Sequence, residues 1–203
     1  MKKNIVIVFD LGNVLLPFDY SIIIKKLDKI EKGLGNKFAR LYEDNYEIHR
    51  NFESGKIKKS EFLETMLDWT SHKLTKEQFG LLFSSIFKLN QDVALLLPKL
   101  KKNYKLFLLS NTNIIHHEYG WKDYSFLKYF DKLVLSYKVG SNKPEKKIYR
   151  AVEKISKQPS SGHLFIDDVK EYVDAAKNLG WDGIQFKNYI QLVRDLKRRA
   201  IIF

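Results

Sequence analysis

Two patterns of apolar and polar positions alternate along the chain. The run Asn4-Ile-Val-Ile-Val-Phe9 is apolar and largely β-branched after its first residue and stops at Asp10. A short apolar run without alternation predicts a strand buried on both faces, as in the middle of a parallel sheet covered by helices. Lys105-Leu-Phe-Leu-Leu109, Lys132-Leu-Val-Leu135, His163-Leu-Phe-Ile166 and Gly183-Ile-Gln-Phe186 repeat that signature. Between them lie helically spaced stretches. They comprise Val93, Leu96, Leu97 and Leu100 within 91–102, a lysine-rich stretch after Lys143-Pro-Glu145, a segment ending at Leu179-Gly180, and the C-terminus. Strands alternating with helices predict right-handed βαβ crossovers and an α/β fold.

From Ser21 to about Leu89 the strand signal is absent. Ile22, Ile23, Leu27 and Ile30 recur at helical spacing and stop at Gly33-Leu-Gly35, which reads as a helix-ending pair. Phe38, Leu41, Tyr42 and Tyr46 suggest a second helix, and Ser60-Glu-Phe-Leu-Glu64 and Thr75-Lys-Glu-Gln78 read as helix starts, the latter with a capping box. Residues 19–88 are therefore expected to form a small all-helical module inserted after the first strand, with 1–18 and 89–203 as the α/β core. Phe62, Trp69, Phe79, Phe83 and Phe87 are expected to fill the interior of that module.

Composition narrows the chemistry. With 203 residues, 44% of them hydrophobic, the chain can bury one good core and a small subdomain, and is expected to suffice as a monomer or weak dimer. No cysteine occurs, which removes disulfides, thiolate nucleophiles and cysteine metal sites. Two lysines precede a short apolar run with no small-residue cleavage site, and no stretch reaches membrane-spanning length. A cytoplasmic chain without a membrane partner is expected. The net charge of +12 comes from lysines spread over helix faces and not gathered into an arm. It reads as solvated surface, not as a nucleic-acid site, while its field would draw in a small phosphorylated anion.

Polar clusters stand where the strands stop. Asp10 ends the first, Ser110-Asn-Thr-Asn113 the second and Asp167-Asp168 the fourth, while Lys143 opens a helix after the third. In a parallel sheet these ends share one edge, where open α/β folds bind ligands. Taken singly, each is an ordinary turn, cap or surface residue; together at successive strand ends they point to one pocket. Gly12 and Asn13 allow a tight turn that brings main-chain amides toward an anion. Three carboxylates without cysteine make a hard-oxygen site suited to Mg²⁺ beside a phosphate. The Ser110 hydroxyl and Lys143 ammonium suit a phosphoryl group, on which a carboxylate such as Asp10 can act as nucleophile.

The order Phe9-Asp-Leu-Gly-Asn-Val14, Leu109-Ser-Asn-Thr-Asn113, Lys143-Pro-Glu145 with Ile148-Tyr149, and Phe165-Ile-Asp-Asp168 resembles the haloacid dehalogenase-like hydrolases over nearly the whole chain. Within them it is most similar to the branch of sugar-phosphate phosphatases of the α-D-glucose-1-phosphate phosphatase type. The resemblance implies a Rossmann-like parallel-sheet core and a Mg²⁺-dependent phosphatase working through an aspartyl-phosphate. By it Asp10 is nucleophile and metal ligand, and the Gly12 carbonyl, Asp167 and Asp168 complete the metal site. Ser110 and Asn111 hold phosphate, Lys143 neutralises it, and the helices of residues 20–88 form a cap over the substrate, a small phosphorylated metabolite.

Two positions depart from the family pattern. Most phosphatases of the family carry a second Asp two residues after the nucleophile, as general acid and base; here that place is Gly12. A leaving group that needs little protonation, such as an anomeric oxygen, fits this loss. Tyr172 stands where a residue buttressing the metal is common. In the cap, His49, Arg50 and Glu53, with Asp19 at the entry hinge, are the candidates for reading the leaving group. Two other readings remain: a catalytically silent module that binds a phospholigand, suggested by Gly12 and the basic surface, and a metal-independent dehalogenase.

Overall fold

The computed structural model describes residues 5–203. Asn4, with which the opening run begins, and the Lys2-Lys3 pair lie outside the described residues. The chain order is β1 (Val6–Phe9), α1 (Ser21–Ile30), α2 (Leu34–Asp44), α3 (Tyr46–Glu53), α4 (Lys59–Trp69), α5 (Lys76–Phe83), α6 (Gln91–Lys101), β2 (Lys105–Ser110) and β3 (Lys132–Leu135). It continues with α7 (Ser136–Val139), α8 (Lys146–Ser156), β4 (His163–Asp167), α9 (Lys170–Asn178), β5 (Asp182–Gln185) and α10 (Tyr189–Arg198).

The five strands form one parallel sheet in the order β3-β2-β1-β4-β5, with the opening run in its centre. The fold is α/β and Rossmann-like, as the pattern predicts. Ile7, Phe9, Leu106, Leu108, Leu164 and Ile166 pack on one face, against α6 and α10; Val6, Val8, Phe107, Leu109 and Phe165 pack on the other, against α8 and α9. Each such side chain contributes about 1.5–3 kcal/mol when fully buried. The interior positions of β1, β2 and β4 are thus apolar on both faces, and the polar cluster that follows stands at their C-terminal ends.

The helices of 21–83 have their own apolar cluster, built from Ile23, Leu27, Leu34, Phe38, Phe52, Phe62, Met66, Phe79 and Phe83. Trp69 packs at its border, whereas Phe87 belongs to the cluster on the sheet. The reason is local: Phe87 pairs antiparallel with Phe18 where the chain leaves and re-enters the α/β part, beside bonds from Asp19 N to Ile86 O and from Lys88 N to Pro17 O.

Several helix boundaries correct the sequence reading. Gly33 and Gly35 open α2 and do not close α1, because the Asp28 carboxylate, one helix earlier, accepts from both of their amides, at 3.2 and 2.9 Å. A Cβ on Gly35 would run into the Ile24 carbonyl, so glycine is what lets α1 and α2 touch. Gly35→Ala is expected to destabilise the protein by about 1–3 kcal/mol, read as a lower urea midpoint at an unchanged slope. Tyr46 starts α3 and does not end α2, because Asn45 breaks the helix and donates from its side chain to Leu41 O. Ser60 lies inside α4, one residue past its start, whereas the Thr75–Gln78 capping box opens α5 as read. Between β2 and β3 the structure adds a π-helical turn at His116–Trp121 and a 3-10 turn at Ser125–Tyr129. Among the described residues no helix is long and apolar enough to cross a membrane.

Candidate active site

Parallel register does the first assembly. Phe9 lies level with Ile166, so the next residues, Asp10 and Asp167, emerge side by side at the same edge. The Asp10 amide still donates to Ile166 O at 2.8 Å, which fixes its backbone to the sheet. Asp167 Oδ1 accepts from Val169 N at 2.8 Å at the entry to α9, leaving Oδ2 to face inward. There Lys143 Nζ lies 2.7 Å from Asp10 Oδ1 and 2.6 Å from Asp167 Oδ2. The lysine is only 1% exposed and its ammonium lies 5.0 Å from the centre of the Tyr172 ring.

Asp168 completes the group: Asp10, Asp167 and Asp168 each offer an oxygen, all within 4.8 Å of one another. One ammonium against three carboxylates leaves an excess of negative charge in a largely buried place. Burial pushes the Asp10 carboxyl up to about 8, Lys143 pulls it down, and the charges of Asp167 and Asp168 push it up again. Burial also works against the Lys143 charge, but the two carboxylates on it hold its pKa above that of ordinary lysine. An all-oxygen set with unbalanced negative charge is what a hard divalent cation such as Mg²⁺ takes. The residues present therefore fit that ion.

The remaining candidates divide by where their polar atoms go. Ser110, 2% exposed, ends β2 with its hydroxyl 3.3 Å from Asn111 O. The Asn111 carboxamide is committed to the Lys143 backbone, accepting from its N–H at 2.7 Å and donating to its carbonyl at 3.1 Å. It fixes the loop that carries the lysine. Asn13 adopts a left-handed backbone (φ 52°), which asparagine tolerates better than most residues. Its side chain donates to Asp168 Oδ2 at 3.0 Å, tying the β1 turn to the third carboxylate. The Gly12 carbonyl accepts from Val14 N at 2.6 Å and keeps a second lone pair. Where a Gly12 side chain would begin, the Phe18 ring is 3.1 Å away.

On α3, His49 and Glu53 are buried and lie over this edge. His49 Nδ1 is 2.6 Å from the Tyr42 hydroxyl, and its Nε2 is 3.2 Å from Glu53 Oε1. Arg50 reaches the Lys143 carbonyl at 3.5 Å, and Asn142 donates back to the Arg50 carbonyl at 3.1 Å. Three of the four α3 and hinge candidates thus gather near Lys143. Asp19 does not: it is exposed and accepts from the Ser21 amide and hydroxyl, both at 2.8 Å, capping α1. Those bonds hold its carboxyl below the usual range.

Sequence reasoning missed Asn142 and did not foresee the Tyr172 ring beneath the ammonium. Asn142, a carboxamide immediately before the lysine, was visible as a signal; the resemblance set Tyr172 near the metal site, but not with its ring against the Lys143 ammonium.

Comparison with known proteins agrees with this geometry. Residues 6–180 match the family described as haloacid dehalogenase-like hydrolase. A D-ribitol-5-phosphate phosphatase from Bacteroides thetaiotaomicron is 32% identical over 199 residues, covering 93% of each chain. A haloacid dehalogenase family enzyme from the same organism, solved in complex with magnesium and inorganic phosphate, superposes with a TM-score of 0.79 at 29% identity, covering 90% of this chain and 94% of that one. A haloacid dehalogenase-like hydrolase from Porphyromonas gingivalis gives 0.79 at 25% identity over 97% and 98% of the two chains. The finer likeness to glucose-1-phosphate phosphatases finds no support in these relatives. With its strand-end carboxylates, its buried lysine and a family match across most of its length, the chain belongs to the haloacid dehalogenase-like hydrolases.

Proposed function

We propose that this hydrolase removes phosphate from a small phosphorylated sugar or sugar alcohol, with Asp10 taking the phosphoryl group and Mg²⁺ held by Asp10, Asp167, Asp168 and the Gly12 carbonyl. The observation that carries the reading is the Lys143 ammonium fixed between Asp10 and Asp167 beside a third carboxylate. The phosphatase relative, and the magnesium and phosphate bound to the solved neighbour, support it.

Asp10 Oδ1 is held by Lys143, while Oδ2 lies toward the Gly12 turn and is the oxygen free to attack phosphorus in line. Lys143 supplies positive charge to the phosphoryl oxygens, and the Ser110 hydroxyl donates to one of them. Mg²⁺, when bound, neutralises charge on the phosphoryl group. The ester oxygen leaves with its electron pair and takes a proton from solvent water. Water then attacks the aspartyl-phosphate at phosphorus and restores the carboxylate. Positioned proton transfer is worth about 10² to 10⁴ in rate; with Phe18 beside Gly12, no side chain there supplies it, and a modest kcat is expected. The module of residues 19–88 acts as the cap that excludes water from the cleft.

The test is phosphate release from a panel of phosphomonoesters with Mg²⁺ and with EDTA. Turnover of polyol or sugar phosphates that EDTA abolishes is expected. No turnover of any ester would sink the reading, and ligand-induced stabilisation without hydrolysis would favour the silent module. Halide release in the presence of EDTA would favour the dehalogenase.

A further inference from the structure

The α3 helix carries a carboxylate that the phosphoryl chemistry leaves without work. Glu53 is 8% exposed. Its closest donors among the described residues are His49 Nε2, 3.2 Å from Oε1, and Arg50 Nη1, 3.8 Å from Oε2. Among those residues Glu53 Oε2 has no donor nearer than Arg50 Nη1 and is not one of the fully enclosed side-chain atoms without a partner, so it keeps an open side. The Arg50 guanidinium in turn reaches the carbonyl of Lys143, whose ammonium sits on Asp10.

We infer that Glu53 is the substrate-binding residue that accepts hydrogen bonds from hydroxyl groups of the leaving moiety, selecting polyhydroxylated phosphate esters over those without hydroxyls. The inference rests on the phosphatase reading above.

Two arguments fix the direction. A carboxylate repels a phosphoryl group, so its partner in the cleft is the uncharged part of the substrate. A carboxylate is also an acceptor only, so that part must carry donors, and in a phosphorylated metabolite without nitrogen these are hydroxyls. The surroundings hold Glu53 in the accepting form: burial alone would raise its pKa, but His49, Arg50 and Lys143 bring it below the ordinary value. His49 is set for this task, since its Nδ1 can accept from the Tyr42 hydroxyl while Nε2 carries a proton toward Glu53. Tyr46, half-exposed and stacked on His49 at 5.3 Å, offers a ring beside the same space.

The experiment compares ribitol 5-phosphate, glucitol 6-phosphate and ribose 5-phosphate with phenyl phosphate, whose leaving group has no further hydroxyl, in wild type and Glu53→Gln. The quantity read is kcat/KM for the best polyol or sugar ester divided by kcat/KM for phenyl phosphate. Hydrogen bonds to charged acceptors are worth about 10- to 100-fold, so this ratio is expected to fall at least tenfold, with the loss on KM more than on kcat. His49→Gln, which keeps the carboxylate and removes the group that aims it, is expected to move the ratio the same way by at least about threefold. A smaller change in Glu53→Gln, or an equal loss on both ester types, would overturn the inference. Wild type that hydrolyses phenyl phosphate but none of the hydroxylated esters would overturn it while leaving a phosphatase in place. Wild type that hydrolyses none of the four would remove the phosphatase reading, and the inference with it.

Discussion

Asp10→Asn is expected to lower kcat on the best phosphate ester at least about 10⁴-fold and, in the Mg²⁺-free protein at neutral pH, to raise the melting temperature. The first effect follows from the proposed mechanism, in which a carboxamide oxygen would be a poor nucleophile and the second step would have no acyl phosphate to hydrolyse. The second comes from the pKa. Asp10 is raised from 3.8 to about 8 by burial beside two other carboxylates. The folded state therefore holds this proton more tightly than the unfolded chain does. Its contribution is fully present below about pH 4 and is lost as the pH rises toward 8. Asparagine removes that dependence and still accepts from Lys143. The gain should thus be seen at pH 8 and vanish near pH 4, and added Mg²⁺ should shrink it by stabilising wild type more. A variant that loses activity and melts lower than wild type at every pH would show that Asp10 acts as a structural anchor for the lysine.

The sequence made much of this edge legible because the signals are local. The strand run ending at Asp10, the pair Asp167-Asp168 and the punctuation around Lys143 each identify a strand end, and parallel topology brings strand ends together without further information. Side-chain commitment was not legible. Asn13, Asn111 and Asp19 are all suited by type to an anion site or a specificity pocket. The structure engages them with Asp168, the Lys143 backbone and the Ser21 cap. Which acceptor a carboxamide finds depends on a neighbour 155 residues away for Asn13 and 32 away for Asn111, and no local pattern encodes that. The glycines at 33 and 35 failed for a related reason. Glycine marks both the end of one helix and the close crossing of two, and only the position of Ile24 decides. Glu53 and His49 stand four residues apart on one helix face, so their pairing was visible; their position over Lys143 depended on how α3 docks.

Lys143→Met changes the same site with the opposite sign on stability. Removing a single charge donor from a transition state typically costs about 10² to 10³ in kcat, and a comparable loss is expected here if the ammonium serves the phosphoryl oxygens as proposed. Stability should fall as well, and further than for a surface lysine. Among the described residues Lys143 is the one basic group bonded to the carboxylates of Asp10 and Asp167, and its loss takes the counter-charge from between two buried acids. Breaking a buried pair on one side costs about 3–5 kcal/mol, partly relieved here because the Asp10 carboxyl, already raised to about 8, holds a proton through the neutral range. A divalent cation supplies the missing charge, so Mg²⁺ should raise the melting temperature of Lys143→Met more than that of wild type. It should leave the kcat loss largely in place if, as proposed, Lys143 supplies its charge to the transferred group and the carboxylates hold the ion. Asp10→Asn and Lys143→Met are then alike in inactivating the enzyme and opposite in their effect on the metal-free fold, as expected of a site whose charge imbalance serves cation and substrate binding at the expense of stability. Thermal melts of both variants with and without Mg²⁺ test this directly. A Lys143→Met protein as stable as wild type without the ion would mean that the three carboxylates do not carry the charge assigned to them.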